Sequence, residues 1–447
     1  MEVIDENQGN TVLIEEKEVA ALKIHPPTSI VDFGLSQEEQ LNILETIQDT
    51  VLQEQADLLN DRPKECPQCG ASVNKNGFEP SNFHHIYSDH RVLLQKWVCS
   101  SRKDCAWSAN PSVQSKLGSS LHGDLIRIQA SSGARMSFGK SETHLQETLG
   151  EERPINNHSR ISNSVKRIGD FTQKRNHDPI SPAGEPAKEL VVQVDGGFIH
   201  DREKKGNFEV MAAKVYQPAN VVEISKDRNE IVSKNCSASS KQDGQETMME
   251  LTIAAAIQQG MTEQTKVVAL CDGAKNCWNI IEFFQGCCAV ILCILDWFHI
   301  DKKLTTLFGK LSNSLKESKE LIRECLWRGN ADMALSILER LVEQVKSGIH
   351  DAQIPEEIQE FSAYIENNKN KIVNYQERKE KGEIYTSSVI ESTVGHLIKE
   401  RCGKKQRMRW TRDKSHALLQ IRVAMASHQW ETIWKDIEEK EFLPKAG

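Results

Sequence analysis

Apolar residues follow two different periods along this chain. Between residues 190 and 295 they form short, almost unbroken runs: Leu190-Val191-Val192-Gln193-Val194, Val267-Val268-Ala269-Leu270-Cys271 and Ala289-Val290-Ile291-Leu292-Cys293-Ile294-Leu295. Runs of that length, rich in β-branched residues, predict strands buried on both faces. Asn207 to Tyr216 and Asn220 to Ile224 predict the return strands of a hairpin, and helical spacing predicts helices over 246–260 and 276–285. Elsewhere the period is that of a helix, about 3.6 residues. Phe138, Leu145 and Leu149 share one face; after the break Gly150-Glu151-Glu152-Arg153-Pro154, Ile161, Val165 and Ile168 share another. From Asp296 to about 380 the spacing stays helical, with Ala334, Leu338, Leu341 and Val345 on one face, and Ile390, Val394, Leu397 and Ile398 resume it.

These elements divide the chain. Strands that begin antiparallel and continue in alternation with helices predict an α/β fold with a ribonuclease-H-like mixed sheet over 187–296. A large helical insertion follows over 297–386, then a core helix and a basic C-terminal region over 387–447. The Pro-rich stretch from Asp178 to Pro186 marks the main boundary before the sheet. Ahead of it, two short helices about a turn predict a helix-turn-helix DNA-binding region over 122–177. A cysteine-bearing segment occupies 66–121, and 1–65 is an acidic leader, helical or disordered.

Charge changes what the chain can bind. The net charge of −8 argues against nucleic acid, but residues 1–65 hold fifteen Asp or Glu and four Lys or Arg, a net of −11, which leaves +3 for residues 66–447. The basic residues there are clustered. Lys399 to Lys414 carries eight Lys or Arg against two acids, with Trp410 among them. Arginine grips phosphate bidentately and an indole can stack on a splayed base, so Lys404, Lys405, Arg407, Arg409, Trp410 and Arg412 are DNA-binding candidates; a solvated basic face is the simpler account. The second helix of the 122–177 region presents Asn156, Asn157, Ser159, Arg160, Ser162, Asn163, Lys166 and Arg167, with no acid between Arg153 and Gly169. Asn157, Arg160, Lys166 and Arg167 suit phosphates and base edges in a major groove, against the alternative of an ordinary polar helix face. No apolar stretch reaches the roughly 18 residues of a membrane span, and Met1-Glu2-Val3-Ile4-Asp5-Glu6 lacks the basic start of a signal peptide. The expectation is a soluble cytoplasmic protein associated with the nucleoid, without a membrane partner.

Twelve cysteines without a disulfide-type framework point to reduced thiols and one metal site. Cys66-Pro67-Gln68-Cys69 and the pair Cys99 and Cys105 flank strand-like Val92-Leu93-Leu94 and Trp97-Val98, the pattern of a zinc ribbon. The spacer of five residues between Cys99 and Cys105 is longer than usual. Cys105 therefore competes with His84, His85 and His90 for the fourth ligand place, and buried free thiols are the alternative to a structural Zn²⁺.

Two of the buried runs end in an acid followed by glycine, Val194-Asp195-Gly196-Gly197 and Cys271-Asp272-Gly273, and a third acid lies in Ser388-Val389-Ile390-Glu391-Ser392. Carboxylates from separate elements can hold two hard divalent ions about 3.5–4 Å apart, the arrangement for phosphodiester chemistry, so Asp195, Asp272 and Glu391 are the catalytic, metal-binding candidates. Taken singly, the aspartates also open Asp-Gly turns, and Glu391 also fits the third position of a capping box begun by Ser388. Asp296, in Asp296-Trp297-Phe298-His299, ends another buried strand and competes with Asp272. Asp296 and His299 are ranked as supporting residues, with helix capping by Asp296 an equally simple account.

The ordered set Val194-Asp195-Gly196-Gly197, Cys271-Asp272-Gly273-Ala274 with Trp278, Asp296-Trp297-Phe298-His299, Ile390-Glu391-Ser392, Met408-Arg409-Trp410 and Ala417-Leu418-Leu419-Gln420-Ile421-Arg422 resembles a bacterial insertion-sequence transposase of the DDE type. It is most similar to the Kra-type group, related to Mutator-like and hAT-like elements that share an Asp-x-x-His signature, and spans about 66 to 425. The resemblance implies a ribonuclease-H-like core with a helical insertion before the glutamate and two Mg²⁺ (or Mn²⁺) ions on Asp195, Asp272 and Glu391. It also implies DNA partners, the terminal inverted repeats of an element and a target, recognised through the N-terminal ribbon and helix-turn-helix. The expectation is a transposase that cuts transposon ends and joins 3′-hydroxyls to target DNA as a homo-oligomer. The alternatives are a zinc-ribbon and helix-turn-helix DNA-binding regulator without cleavage activity, and a non-transposing nuclease of similar fold.

Overall fold

The computed structural model describes residues 2–5, 12–16, 18–21, 26, 28–30, 33–60, 63–101, 103–149, 153–176, 185–225, 228–309, 316–348, 353–387, 395–403 and 408–442. The chain is a mixed α/β protein in two compact units, one of residues 1–165 with 431–447 and one of residues 166–430.

In the first unit, β1 (Glu2–Asp5) pairs antiparallel with β2 (Val12–Glu16). Helix α1 (Gln37–Leu58) starts at a capping box, in which Ser36 accepts the Glu39 amide and Glu39 reaches back to the Ser36 backbone. Strands β3 (Val73–His84), β4 (Asp89–Cys99) and β5 (Ser108–Ala109) form an antiparallel sheet in that order. Alternation along β4 buries Val92 and Leu94 with Phe83, Ala56 of α1 and Val113 of α2 (Val113–Leu117). Three helices follow, α3 (Gly123–Arg135), α4 (Phe138–Leu149) and α5 (His158–Asn176). As the spacing predicts, Leu145, Leu149 and Ile161 form one core, with Phe138 packed against it. A Cβ on Gly133 would lie 2.7 Å from Val165 Cγ2 and 2.9 Å from Ile161 Cγ2, so α3 reaches α5 because it carries no side chain there. The turn before α5 is tied to the β3–β4 connection by buried Arg153. Its guanidinium donates to the carbonyls of His85, Ile86 and Ser88 and pairs with Asp89. Burial alone would raise the Asp89 carboxyl; His84 and Arg153 overcome it and hold the group down at about 2.

The second unit is built on β6 (Glu189–His200), β7 (Asn207–Tyr216), β8 (Val221–Ser225), β9 (Arg228–Ile231), β10 (Asn235–Ser239), α6 (Glu246–Gln258), β11 (Lys266–Cys271), α7 (Lys275–Glu282) and β12 (Val290–Leu295). The main sheet has the order β10-β7-β6-β11-β12, with β6, β7 and β10 antiparallel in sequence and β11 parallel to both β6 and β12. The expected return strand at Asn220 to Ile224 is a strand, but it lies outside this sheet and pairs with β9 in a separate ribbon, where Val222 and Ile224 are exposed. The third sheet strand is β10, Asn-Cys-Ser-Ala-Ser. It is buried along its whole length, and Ser237 Oγ lies 3.0 Å from Thr252 Oγ1 of α6. Small side chains let a helix approach, and local hydroxyl partners remove the cost of burying them.

Helices α8 (Trp297–Gly309), α9 (Lys316–Trp327), α10 (Ala331–Gly348), α11 (Gln353–Asn367) and α12 (Tyr375–Glu380) form the expected helical stretch. Ala334, Leu338 and Leu341 are buried as predicted, in one core with β11 and β12. The rings of Trp297, Trp327 and Tyr375 pack together, with Trp297 4.7 Å and 5.0 Å from the other two. A π-helical turn over Gly395–Lys399 leads into α13 (Glu400–Cys402) and α14 (Arg412–Ala426). Gly169 of α5 faces α14 with no room for a side chain, since its Cβ would sit 2.1 Å from the Ala417 carbonyl oxygen. The last helix, α15 (Trp430–Lys440), returns to the first unit, where Arg127 Nη2 donates to Glu431 Oε2 at 2.5 Å. Among the described residues, no helix is long and apolar enough to cross a membrane.

Candidate functional site

Parallel pairing of β11 with β6 sets Cys271 opposite Val194, so the next residues along, Asp272 and Asp195, lie at neighbouring strand positions. Both side chains are half-buried. Asp195 Oδ1 accepts the Gly196 amide at 2.7 Å, and Asp272 Oδ1 accepts the Ala274 amide at 2.9 Å. The carboxyl of Asp195 is raised, first by burial and then by the negative charge of Asp272; His299, the Gly196 amide and Lys399 act in the opposite sense. The Cys277 thiol, at the start of α7, also bonds to Asp272, and burial pushes it far up, so it stays neutral.

The backbone beneath Asp272 is fixed from a distance. Tyr364 of α11 donates its hydroxyl to the Asp272 carbonyl at 2.8 Å, and Trp278 Nε1 donates to Asn368 Oδ1 at 2.9 Å. Tyr375 does the same for β12, donating to the Leu295 carbonyl at 2.8 Å. Gly273 has φ +96° under the Tyr364 ring.

Asp296 follows β12 at the adjacent tip but is a different kind of group. It is only 3 % exposed. Its Oδ1 accepts the amides of Phe298 and Ser387, its Oδ2 accepts the Ser387 hydroxyl at 2.5 Å, and His299 Nε2 lies 3.7 Å from Oδ2. Asp296 therefore caps α8 and ties down the residue that begins the 388–394 segment, as the capping account expects. Among the described residues both oxygens of Asp296 are used, whereas Asp195 accepts the Gly196 amide and Asp272 the Ala274 amide and the Cys277 thiol.

Glu391, Lys404, Lys405 and Arg407 lie outside the described residues. Arg409 is exposed. Arg412 stacks over the Phe208 ring and donates to the Ser240 carbonyl at 2.9 Å. Trp410 differs from its expected role. Its indole is 3 % exposed and lies under the Arg401 guanidinium, so it is not placed to stack on a base. Its backbone instead pairs with the end of β6: the Trp410 amide donates to His200 and its carbonyl accepts from Arg202, both at 2.9 Å.

In α5, Arg160 is exposed near the N-terminus of the helix, while Arg167 is half-buried. Asn157 acts as the N-cap, accepting the Arg160 amide at 2.9 Å. Lys166 is held between Asp170, at 2.5 Å, and Asp413, at 3.1 Å, so its charge is already paired. Asn156 is fully buried against Gln129 and not on the polar face.

A second centre lies in the first unit. The sulfurs of Cys66, Cys69, Cys99 and Cys105 all lie within 4.8 Å of one another, with Cys66 to Cys105 at 3.7 Å and Cys69 to Cys99 at 3.4 Å. Four thiolates on a tetrahedral ion with Zn–S bonds of about 2.3 Å sit about 3.8 Å apart, so this set fits a structural Zn²⁺. Of the competing histidines, His84 Nδ1 pairs with Asp89 and His90 lies between Asp49 and Ser88, while His85 packs 4.5 Å from the His122 ring, outside the group of four cysteines. Burial opposes the Cys66 thiolate, but the amides of Gln68 and Cys69 and the neighbouring thiols carry it down to about 7, while burial pushes Cys99 up to about 12. The four groups cannot all ionise together without a cation.

The chain matches no known protein family and no curated protein.

Proposed function

We propose that this chain is a metal-dependent DNA-cutting and joining enzyme, a DDE-type transposase with a ribonuclease-H-like core that binds transposon ends and transfers them to target DNA. The observation that carries the reading is the pair of half-buried carboxylates, Asp195 and Asp272, at adjacent tips of parallel strands, where the charge of Asp272 adds to burial in raising the Asp195 carboxyl. Their mutual repulsion fits a divalent cation, and the donors are the hard oxygens that Mg²⁺ takes. Bound there, Mg²⁺ supplies an activated water or 3′-hydroxyl and offsets charge on the leaving oxygen. Asp195 and Asp272 hold the cation, His299 lends positive charge beside them when protonated, and Asp296 anchors Ser387, from which the chain runs on to Glu391 as third carboxylate.

The ribonuclease-H-like reading is supported by the sheet order: three antiparallel strands, then two parallel ones, each entered through a helix, with the helical insertion after the fifth. End recognition by α4, α5 and the cysteine ribbon is supported by the exposed N-terminal turn of α5 around Arg160.

The test is nicking of a plasmid that carries the DNA flanking the gene, with Mg²⁺. Wild type cuts at discrete ends; Asp195→Asn and Asp272→Asn lose at least a thousandfold in rate and still bind the ends. Retained cutting removes that residue from the site, and end binding without cutting by wild type favours the DNA-binding regulator.

A further inference from the structure

We propose that the ribbon formed by the ends of β6 and β7 holds an unpaired DNA strand beside the carboxylates, one base stacked on Phe198 and the phosphates on the cations at its tip; this rests on the DNA-cutting reading above. Strand β6 runs on past Asp195 to His200, paired with β7 from Met211 back to Asn207, whereas β11 stops at Cys271 and β12 at Leu295. A two-stranded ribbon thus projects beyond the tips that carry Asp195 and Asp272.

Phe198 is 66 % exposed on this ribbon, three residues or about 10 Å beyond Asp195. A lone exposed aromatic is common on protein surfaces, but this one stands on a braced platform. Ile199 and Phe208 are buried, and the Trp410 backbone makes an isolated parallel bridge at the ribbon end, bonded to His200 and Arg202. The residue expected to stack thus braces the end of the ribbon through its backbone, its indole lying under Arg401.

Charge identifies the occupant as nucleic acid. Arg202, Lys204, Lys205 and Arg409 are exposed, and none has an ion pair among the described residues. Of the nearby acids, Asp201 turns inward to accept the amides of Glu203 and Lys204 at 2.7 Å and 3.2 Å, and Glu209 is held by Asn276 Nδ2; Glu203 alone is exposed at the tip. In a chain of net charge −8, the exposed cations at the tip of the ribbon outnumber the acids there, which fits a phosphate backbone passing an exposed ring that can take an unstacked base. The odd offset from Asp195 sets Phe198 on the opposite face of the strand. The ribbon then keeps the stacked strand apart from the strand at the carboxylates, so the ligand is the frayed partner strand of a DNA end.

The experiment uses the full chain and a duplex whose short single-stranded overhang carries 2-aminopurine, with the blunt duplex as control. Wild type quenches the probe on binding. Phe198→Ala and Phe198→Leu lose the quench and bind the overhang probe about tenfold more weakly, with blunt-duplex affinity and thermal melting unchanged, whereas Phe198→Tyr keeps both signals. Arg202→Ala with Lys204→Ala and Lys205→Ala flattens the salt dependence of overhang binding. Wild-type quench and affinity in Phe198→Leu overturn the proposal. If wild type fails to cut with Mg²⁺ yet the quench depends on Phe198, the cutting reading falls and the ribbon stands; cutting with no dependence on Phe198 gives the reverse.

Discussion

At Gly273 one hydrogen atom decides whether Asp272 is presented. With φ at +96°, a Cβ there would sit 2.6 Å from Tyr364 Cε2 and 2.9 Å from Leu295 Cδ1. Gly273→Ala combines a left-handed backbone cost of about 1–2 kcal/mol with overpacking of about 1–3 kcal/mol. Urea unfolding should show a loss of about 2–5 kcal/mol; a loss below about 1 kcal/mol would contradict the tight fit. The strand-tip positions of Asp195 and Asp272 were legible because each closes an apolar run. What separates Asp272 from Asp296 was not, since Asp296 closes an apolar run as well. Their difference lies in Ser387, 91 residues further on, which occupies both oxygens of Asp296. Trp410 was misread for a similar reason: a tryptophan in a basic stretch looks exposed until His200 and Arg202 are known to pair with it.

Elements were legible where their period survived. Strands β6, β11 and β12 and helices α6 and α7 stand close to where the apolar runs and helical spacing put them. Strand β10 was missed because Asn235, Ser237 and Ser239 carry no apolar signal; a strand shielded by helices and satisfied by hydroxyl contacts does not need one. The long spacer at the second cysteine pair also has a local explanation. The Ser101 carbonyl accepts the amides of Asp104 and Cys105 at 2.9 Å, while the Ser101 amide points at Cys99 Sγ. The extra residues therefore leave the sulfurs together. Chelation should release one Zn²⁺ per chain and change the fluorescence of Trp97 and Trp107, which pack on this cluster; Cys66→Ser should reproduce the change. Protein purified without zinc and with unaltered emission after chelation would assign the four cysteines to an ordinary buried core.

For the whole molecule, charge is the property that sequence and structure describe together. Residues 1–35 carry seven acids and two bases, so their removal changes the net charge from −8 to −3. The shortened protein should bind random duplex DNA more tightly at low salt, with the gain fading as the Debye length shrinks to about 3 Å near 1 M. Equal affinities at low salt would show that the leader does not shield the cationic surfaces. What no local pattern could reveal is how far apart along the chain the mutually dependent parts are.

That separation bears on the order in which the chain can fold. Asp272 waits for Tyr364, 92 residues later; the Ala238 carbonyl of β10 waits for Gln420, 182 residues later; and Arg127 waits for Glu431, 304 residues later. A ribosome that has released both aspartates has not yet made the helices that hold their strands, and each unit is closed only by the last stretch of chain. Neither unit is therefore assembled from one early, continuous stretch of chain. A chain interrupted before α14 lacks Gln420 for the Ala238 carbonyl and Glu431 for Arg127, so both units lose contacts that hold them.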